Sequence, residues 1–411
     1  MGITVMEGED MRLLRAVIDG AELFRDDHLA IDLFAIDRVP KPEGGLRTAD
    51  VTQMGESTSI YSQNVVGISG VNASGKTTAL NLLHFVLDLL AGEVTLRGFR
   101  GRDLTVGKVG TRLFISVVFW HEEAFYLLES ELEREGRSLF AGPSSLFGFR
   151  FVDETIWRLA IPRVNRRMIG DSRAFREAAV VVRRRHGDSA LTESELRLLG
   201  DDRSIVSLVT GRVRSRVSSL GRELPTETLA TPVVQAFDSS VERLDWDSQN
   251  EVYTLQFKGE RARIVDRNVA AMLLSRGTVF GSEMVNRAME VLSCGGYLLV
   301  DEMEEAINRS LVATIIDLFV SPVTNPHGAQ LIFTTHHPEL LDVLHRKDNI
   351  YLLVRGEDQR TEVVKYSDRV RRIENKKSEV VLSDLIKGTM PRYPDVRAMR
   401  DYVRRYVDGR A

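Results

Sequence analysis

Apolar residues near the start of the chain alternate or cluster in the way that is typical of β-strands. Segments 13–24 and 29–36 show this pattern, and Arg25-Asp26-Asp27 between them predicts a turn. The run from Val65 to Ile68 predicts another strand, and apolar residues at helical spacing between 77 and 90 predict a helix. A glycine-rich segment separates these two elements, so this region has the order strand, loop, helix.

The pattern farther along the chain predicts a mixed α/β protein. Residues 111–133 contain two β-rich runs that should pair through the turn at His121-Glu122. Residues from about 150 to 230 are polar and arginine-rich, which predicts an inserted lobe made mainly of helices. The strands and helices predicted beyond this lobe lie at 252–257, about 282–292, 297–300, about 304–319 and 330–334. Alternating strands and helices favour a mostly parallel sheet.

Composition narrows the class of protein. The chain has 411 residues, of which 43% are apolar and 28% charged, with a net charge of −4, so a disordered, collagenous or coiled-coil protein is excluded. Its single cysteine, Cys294, cannot form an internal disulfide. Residues 1–15 lack the apolar run of a secretory signal, and no stretch is apolar enough to span a bilayer. These features predict a cytoplasmic protein without membrane contact.

The strongest motif is Gly70-Val71-Asn72-Ala73-Ser74-Gly75-Lys76-Thr77, a complete G-x-x-x-x-G-K-[ST] loop between a strand and a helix. Its glycines allow the backbone to surround a phosphate, Lys76 can reach the β- and γ-phosphates, and Thr77 can bind Mg²⁺. A glycine-rich turn before an amphipathic helix is the alternative, but it requires neither lysine nor threonine. The residues predicted to contact the nucleotide here are Gly70, Asn72, Ser74, Gly75, Lys76, Thr77 and Thr78.

A second motif places two acids after an apolar strand. Residues 296–300 are followed by Asp301 and Glu302, which should lie at the carboxyl edge of a parallel sheet, where ligands bind. Asp301 is predicted to hold the Mg²⁺ shell, and Glu302 to orient or deprotonate the attacking water. An apolar strand followed by acids is common by itself. It indicates a nucleotide site here because it follows a phosphate loop in the same chain.

Two shorter elements complete the candidate site. Residues 331–335 form an apolar strand that leads to His336, whose imidazole can donate a hydrogen bond to a γ-phosphate; a helix-capping role is the alternative. Leu274-Ser275-Arg276-Gly277 is an L-S-x-G sequence, which alone is more often an ordinary turn.

Together these elements resemble the ABC-type ATPase heads of SMC, RecF and OLD proteins, and more narrowly the stand-alone bacterial AAA ATPases linked to phage defence. The resemblance rests on GVNASGKTTAL, LLSRGT, GGYLLVDEMEEAI and AQLIFTTHHPELLD at 70–80, 273–278, 295–307 and 329–342. It implies a P-loop NTPase fold with an ABC-ATPase-like head, in which a mostly parallel sheet is joined by an antiparallel β subdomain and an inserted helical lobe. The implied regions are an N-terminal head part, the lobe, a C-terminal head part and a basic extension, at 1–150, 151–250, 251–345 and 346–411.

The resemblance also implies how the protein works. ATP and Mg²⁺ would be sandwiched in a head-to-head homodimer, with Ser275 and Gly277 acting on the γ-phosphate held by the other chain. Hydrolysis would open the heads and signal to a separate effector protein in anti-phage defence. A RecF- or SMC-like DNA-repair ATPase and a nucleotide-gated scaffold with little turnover are the alternatives. The 66 residues after His345 are too few for the nuclease domain of OLD proteins.

Two features depart from the resemblance. No glutamine lies between Gln63 and Gln235, so the usual Mg²⁺-sensing glutamine is missing, moved or replaced by a residue within 120–123. Asn308 stands where many relatives have a histidine after the acid pair.

Basic segments suggest further partners. Residues 163–216 contain thirteen arginines and seven acids, which makes nucleic acid a candidate partner of the lobe, although a solvated charged face is the more common reason for such a run. The basic run 369–378 and the ending 400–410 favour equally an effector-docking site and a solvated terminal helix.

Overall fold

The computed structural model describes residues 11–39, 50–92, 95–96, 109–134, 148–187, 190–210, 217–219, 224–370, 376–390 and 393–408. The strands of these residues are β1 (Met11–Asp19), β2 (His28–Asp32), β3 (Val51–Gln53), β4 (Tyr61–Gln63), β5 (Val65–Gly70), β6 (Arg112–His121), β7 (Ala124–Arg134), β8 (Phe149–Ala160), β9 (Val180–Arg184), β10 (Val217–Ser219), β11 (Val241–Asp247), β12 (Val252–Phe257), β13 (Arg263–Asp266), β14 (Tyr297–Val300), β15 (Gln330–Thr335), β16 (Ile350–Arg355) and β17 (Thr361–Lys365). The α-helices are α1 (Lys76–Leu90), α2 (Arg166–Gly170), α3 (Ser172–Ala178), α4 (Glu193–Leu199), α5 (Ser207–Thr210), α6 (Thr231–Phe237), α7 (Arg267–Leu273), α8 (Arg276–Leu292), α9 (Arg309–Val320), α10 (Tyr366–Arg369), α11 (Lys377–Leu382) and α12 (Tyr393–Val407). Short 3₁₀ helices lie at Arg25–Asp27, Ile161–Arg163 and Pro338–Val343.

A six-stranded sheet with the order β10-β14-β15-β5-β16-β17 lies at the centre of the protein. Its neighbouring strands run parallel except for the antiparallel pair β16 and β17. Every residue of β5, β14 and β15 is buried, as expected for parallel strands that are covered on both faces. The predicted α/β class and mostly parallel sheet are therefore confirmed, and the carboxyl ends of these three strands meet at one edge.

A second six-stranded sheet, with the order β2-β1-β6-β7-β8-β9, is antiparallel. The predicted hairpin of β6 and β7 is confirmed, with His121 opposite Ala124 at its turn. Helix α1 lies between the two sheets. Its Leu83 and Val86 share one core with Ile115 of the antiparallel sheet and Ile68 of the parallel sheet, while α8 and α9 cover the other face of the parallel sheet.

The region 150–230, predicted to be an inserted lobe made mainly of helices, contains four α-helices among its described residues but also three strands that join the two large sheets. Strands β8 and β9 extend the antiparallel sheet, and β10 forms an edge of the parallel sheet. Burial explains β8, because Phe149, Phe151 and Ile156 are buried while Arg150 and Asp153 between them are exposed. The arginine content hides this alternation. The region boundary predicted after residue 150 falls inside β8.

The remaining chain adds two smaller units. A three-stranded antiparallel sheet of β11, β12 and β13 packs with α6 and α7 around a core that includes Val234, Tyr253 and Leu255. After β17 the chain returns to the parallel sheet through α11, whose Val380 and Val381 are buried, and then forms α12. Among the described residues, no helix is both long and apolar enough to cross a bilayer.

Candidate functional site

The loop between β5 and α1 is a tight turn that only glycine allows at its two ends. A Cβ atom at Gly70 would lie 2.5 Å from the carbonyl oxygen of Leu353 in β16. Gly75 has a φ of 92°, in the left-handed region, and a Cβ atom there would lie 2.5 Å from a methyl group of Leu23. Ala73 also has a positive φ, of 60°. The loop therefore curves back on itself before α1 begins at Lys76.

Residues of β16 and β17 hold this loop from outside. The Nη1 atom of Arg355 donates to the carbonyl oxygen of Ala73 at 2.9 Å, and Oγ1 of Thr361 donates to that of Ser74 at 2.9 Å. The Oγ atom of Ser74 is buried and has no hydrogen-bond partner among the described residues. Neither Arg355 nor Thr361 belongs to a motif, so neither is predicted from the sequence.

Lys76 begins α1 and turns its side chain back over the loop. Its Nζ atom donates to the carbonyl oxygens of Gly70 at 2.9 Å and Val71 at 3.1 Å. Burial lowers the pKa of Lys76, although three nearby carboxylates act in the opposite direction. Those carboxylates, in order of decreasing effect, belong to Glu302, Asp301 and Glu304. The Lys76 ammonium is therefore partly desolvated and lies among carboxylates.

The acid pair lies beside α1, as the motif order predicts. Oγ1 of Thr77 donates to Oδ2 of Asp301 at 2.7 Å, and Oγ1 of Thr334 donates to Oδ1 of the same carboxylate at 2.6 Å. The amide of Glu302 donates to Oγ1 of Thr334 at 2.8 Å. Because β14 and β15 are parallel neighbours, with Val300 opposite Phe333, the ends of both strands deliver these side chains to one place. No motif in the sequence points to Thr334.

His336 connects the lysine with the second acid. Its Nδ1 atom lies 3.1 Å from Nζ of Lys76, and its Nε2 atom lies 3.1 Å from Oε1 of Glu302. Its backbone amide donates to Oε1 of Glu304 at 2.5 Å. Glu302 itself has a φ of 50°, a conformation that turns the chain sharply after β14. The neighbouring His337 directly precedes the 3₁₀ helix Pro338–Val343 and provides no side-chain cap.

An open cavity of 570 Å³ lies over these groups. The described residues that line it are Leu23, Asn72, Ala73, Ser74, Gly75, Lys76, Thr77, Thr78, Glu302, His336 and Arg355. Most of the predicted contact residues therefore line one cavity, while Gly70, the last residue of β5, lines an adjoining one. A larger cavity, of 1040 Å³, continues past Asn72 and His336 towards residues 381–395.

The residues present fit a nucleotide with Mg²⁺. Hydroxyl and carboxylate oxygens, which Thr77 and Asp301 offer side by side, are the ligands that Mg²⁺ prefers. Within the described residues, no group of three or more His, Cys, Asp and Glu side chains could hold a metal alone. Phosphate and water oxygens would thus complete the shell, as is usual for Mg²⁺ at nucleotide sites. The unpartnered Oγ of Ser74 and the buried ammonium of Lys76 provide donors for phosphate.

The L-S-x-G element forms the start of α8 rather than a separate turn. Ser275 is the N-cap, and its side chain accepts from the amide of Thr278. A Cβ atom at Gly277 would lie 2.3 Å from the carbonyl oxygen of Ala306, so this glycine packs directly on the loop that follows the acid pair. Arg276 and Glu305 form an ion pair at 2.7 Å across the same contact. Neither Ser275 nor Gly277 is among the described residues that line the cavity over Lys76.

The two departures from the resemblance have structural counterparts. Trp120 and His121 are buried in the antiparallel sheet, and none of residues 120–123 is among the described residues lining the cavity. Asn308 caps α9 by accepting from the amide of Ser310. This cap explains why α9 begins at Arg309, five residues later than predicted.

The arginine-rich segment does not present all of its positive charge to solvent. Arg185 is buried with Glu154 at 2.8 Å, and Arg176 contacts both carboxylate oxygens of Glu129 at 2.7 Å. Other pairs are exposed, such as Arg173 with Glu177 at 3.1 Å. Three members of the predicted basic face lie outside the described residues: Arg212, Arg214 and Arg216.

Comparison of the chain with known protein families and with curated proteins found no match in either.

Proposed function

We propose that this chain is a P-loop NTPase that binds and hydrolyses ATP and acts in the cytoplasm as a molecular switch. The observation that carries the proposal is the hydrogen-bonded arrangement of Thr77, Asp301 and Thr334 beside Lys76. These groups come from three parts of the chain that lie far apart in sequence. They converge at the carboxyl edge of parallel strands, which is where α/β proteins bind ligands.

Each residue has a role that follows from its position. The Lys76 ammonium and the amides of the loop bind the β- and γ-phosphates, and the phosphate charge compensates the cost of burying the lysine. Thr77 and Asp301 would hold Mg²⁺, which would supply positive charge to neutralise the phosphates. Glu302 accepts a proton from the attacking water, and His336 keeps the Glu302 carboxylate in place through its Nε2 atom.

The resemblance of the motifs supports a head-to-head homodimer. Ser275 and Gly277 lie away from the cavity of their own chain, so they are available to contact the γ-phosphate held by a second copy. In the same chain, Gly277 touches the loop that carries Glu302. A sensor or regulator of anti-phage defence that works with a separate effector protein is the biological role that the resemblance favours.

Steady-state ATP hydrolysis by the wild type, Lys76→Ala and Glu302→Gln tests the activity. Lys76→Ala should lose ATP binding, whereas Glu302→Gln should retain binding but hydrolyse at least ~100-fold more slowly, because the water is no longer activated. Lys258→Ala, in the β12–β13 turn, is a control that should behave as the wild type. Wild-type rates in both site variants would refute the proposed activity.

Single-turnover measurements separate the switch from a non-hydrolysing scaffold. A switch should convert bound ATP to ADP in the wild type and accumulate as an ATP-bound dimer in Glu302→Gln. ATP binding without conversion in the wild type would instead support the scaffold.

A further inference from the structure

The C-terminal helix α12 presents an apolar face that nothing in the described chain covers. None of its residues is buried, and the exposed fractions of Met399, Val403 and Tyr406 are 61%, 53% and 70%. With Val396, these side chains are spaced by three, four and three residues along the helix. This is the spacing of a and d positions in a coiled coil, and the seam that they form along α12 is flanked by the exposed side chains of Tyr402 and Val407. An apolar seam of this kind on an exposed helix marks an interaction surface.

We propose that α12 pairs in parallel with α12 of a second copy of this chain, independently of nucleotide. The occupant is inferred from the charges that flank the seam. With Val396 and Val403 at a positions, Asp395 occupies a g position and Arg400 the following e position. In a parallel pair of helices, a g residue faces the next e residue of the partner. Two symmetric ion pairs between Asp395 and Arg400 of opposite copies therefore form.

The same charges disfavour an antiparallel pair. In that arrangement e positions face each other, so that Arg400 of one copy would approach Arg400 of the other. The outer side of α12 carries charges of both signs, including the ion pair of Arg397 with Asp401, and is suited to water. The helix thus has one apolar seam, a complementary pair of flanking charges and a solvated back.

The position of α12 relates this pairing to the candidate site. Tyr393 and Asp395, in its first turn, line the larger cavity together with Asn72 and His336. The paired helices would consequently begin beside the edge of the sheet that carries the phosphate loop. A seam of about two heptads is short for a stable coiled coil, so we expect a weak dimer that raises the local concentration of a second head.

Sedimentation of the nucleotide-free full chain over a range of concentrations tests the seam. The wild type should show a reversible monomer–dimer equilibrium, and Met399→Asp should weaken dimerisation by about tenfold or more. Ala398→Asp places the same charge one residue away on the solvated side and should leave the equilibrium unchanged. A monomeric wild type, or a Met399→Asp variant that dimerises normally, would overturn the proposal.

Charge reversal tests the parallel register. Asp395→Arg and Arg400→Asp should each weaken dimerisation by about tenfold, because each places like charges opposite one another. An equimolar mixture of the two variants should recover a heterodimer, since each arginine then faces an aspartate. Failure of the mixture to associate would exclude this register. Neither experiment contains nucleotide, so its outcome is independent of whether the chain hydrolyses ATP.

Discussion

The Nζ atom of Lys76 lies 3.1 Å from the Nδ1 atom of His336. An ammonium can only donate, so Nδ1 is the acceptor, and in the neutral imidazole the proton is then on Nε2. That proton points to Oε1 of Glu302 at 3.1 Å. One imidazole therefore connects Lys76, proposed to bind phosphate, with Glu302, proposed to activate water. A negative charge bound at Lys76 changes the electrostatic environment of Glu302 through this connection.

Thr334→Val should lower kcat for ATP hydrolysis by about tenfold to a hundredfold. The substitution keeps the shape of the side chain but removes the hydroxyl that donates to Asp301 and accepts from the amide of Glu302. Asp301 is then free to rotate away from Thr77, while the phosphate loop is unchanged. Steady-state kinetics at varied Mg²⁺ would detect the loss, and Thr314→Val, on the exposed side of α9, is the matched control. Unchanged Mg²⁺ dependence and kcat would contradict the assigned role of Thr334.

Gly277→Ala should slow ATP hydrolysis by about tenfold or more, although Gly277 lines no part of the chain's own site. The new methyl group would meet the Ala306 carbonyl oxygen at 2.3 Å and displace the loop that begins at Glu302. Gly170→Ala is the matched control, because its Cβ atom would approach no atom closer than 3.9 Å. Hydrolysis rates and thermal unfolding of both variants would check this. Equal rates in the two variants would show that the contact does not control the acid loop.

Lys76→Met should stabilise the nucleotide-free protein relative to the wild type, most strongly at pH values below the lowered pKa of Lys76. Burial lowers the pKa of Lys76 from 10.5, so between the lowered pKa and 10.5 the unfolded chain binds more protons than the folded chain. The free energy of unfolding of the wild type that depends on Lys76 therefore rises with pH across this window. The difference in the free energy of unfolding between Lys76→Met and the wild type should therefore become smaller as the pH rises through this window. Urea unfolding at several pH values measures it, with Lys258→Met as the reference, and a constant difference would contradict the prediction.

The buried pair of Glu154 and Arg185 should be essential to the junction of β8 with the following segment. Removing either partner, by Glu154→Leu or Arg185→Met, should lower the free energy of unfolding by about 3–5 kcal/mol, because the other charge stays buried without its partner. The double variant should lose less than the sum of the two. Burial raises the pKa of Glu154, so its contribution to stability falls as pH rises above 4.5. Urea unfolding gives all four values, and strict additivity would contradict this coupling.

Most of the candidate site could be predicted because its residues lie in contiguous motifs. Gly70 to Thr77, Asp301, Glu302 and His336 each follow a buried strand, and the carboxyl ends of parallel strands meet at one edge of the sheet. The position of each motif after a strand was therefore enough to predict that these side chains lie close together. Arg355 and Thr361 were not predicted, because they contact the loop through backbone oxygens that accept from many side chains.

Strand pairing between distant segments was harder to predict. Strand β10 is only three residues long and has no distinctive pattern of its own. Its position in the sheet depends on pairing with β14, where Val217 lies opposite Tyr297. The burial of individual arginines was equally hard to predict, since Arg185 lies inside the protein beside Glu154. Composition indicates charge but not which charges are paired.

The sequence by itself determined the α/β class, the order of the motifs and the residues proposed to bind phosphate and Mg²⁺, because local periodicity and spacing depend on neighbours in the chain. Only the tertiary structure decided that Thr334 joins Asp301 to Glu302 and that Gly277 rests on the acid loop. These contacts join segments tens of residues apart. They exist only after the sheet has brought its strands together, so no local pattern encodes them.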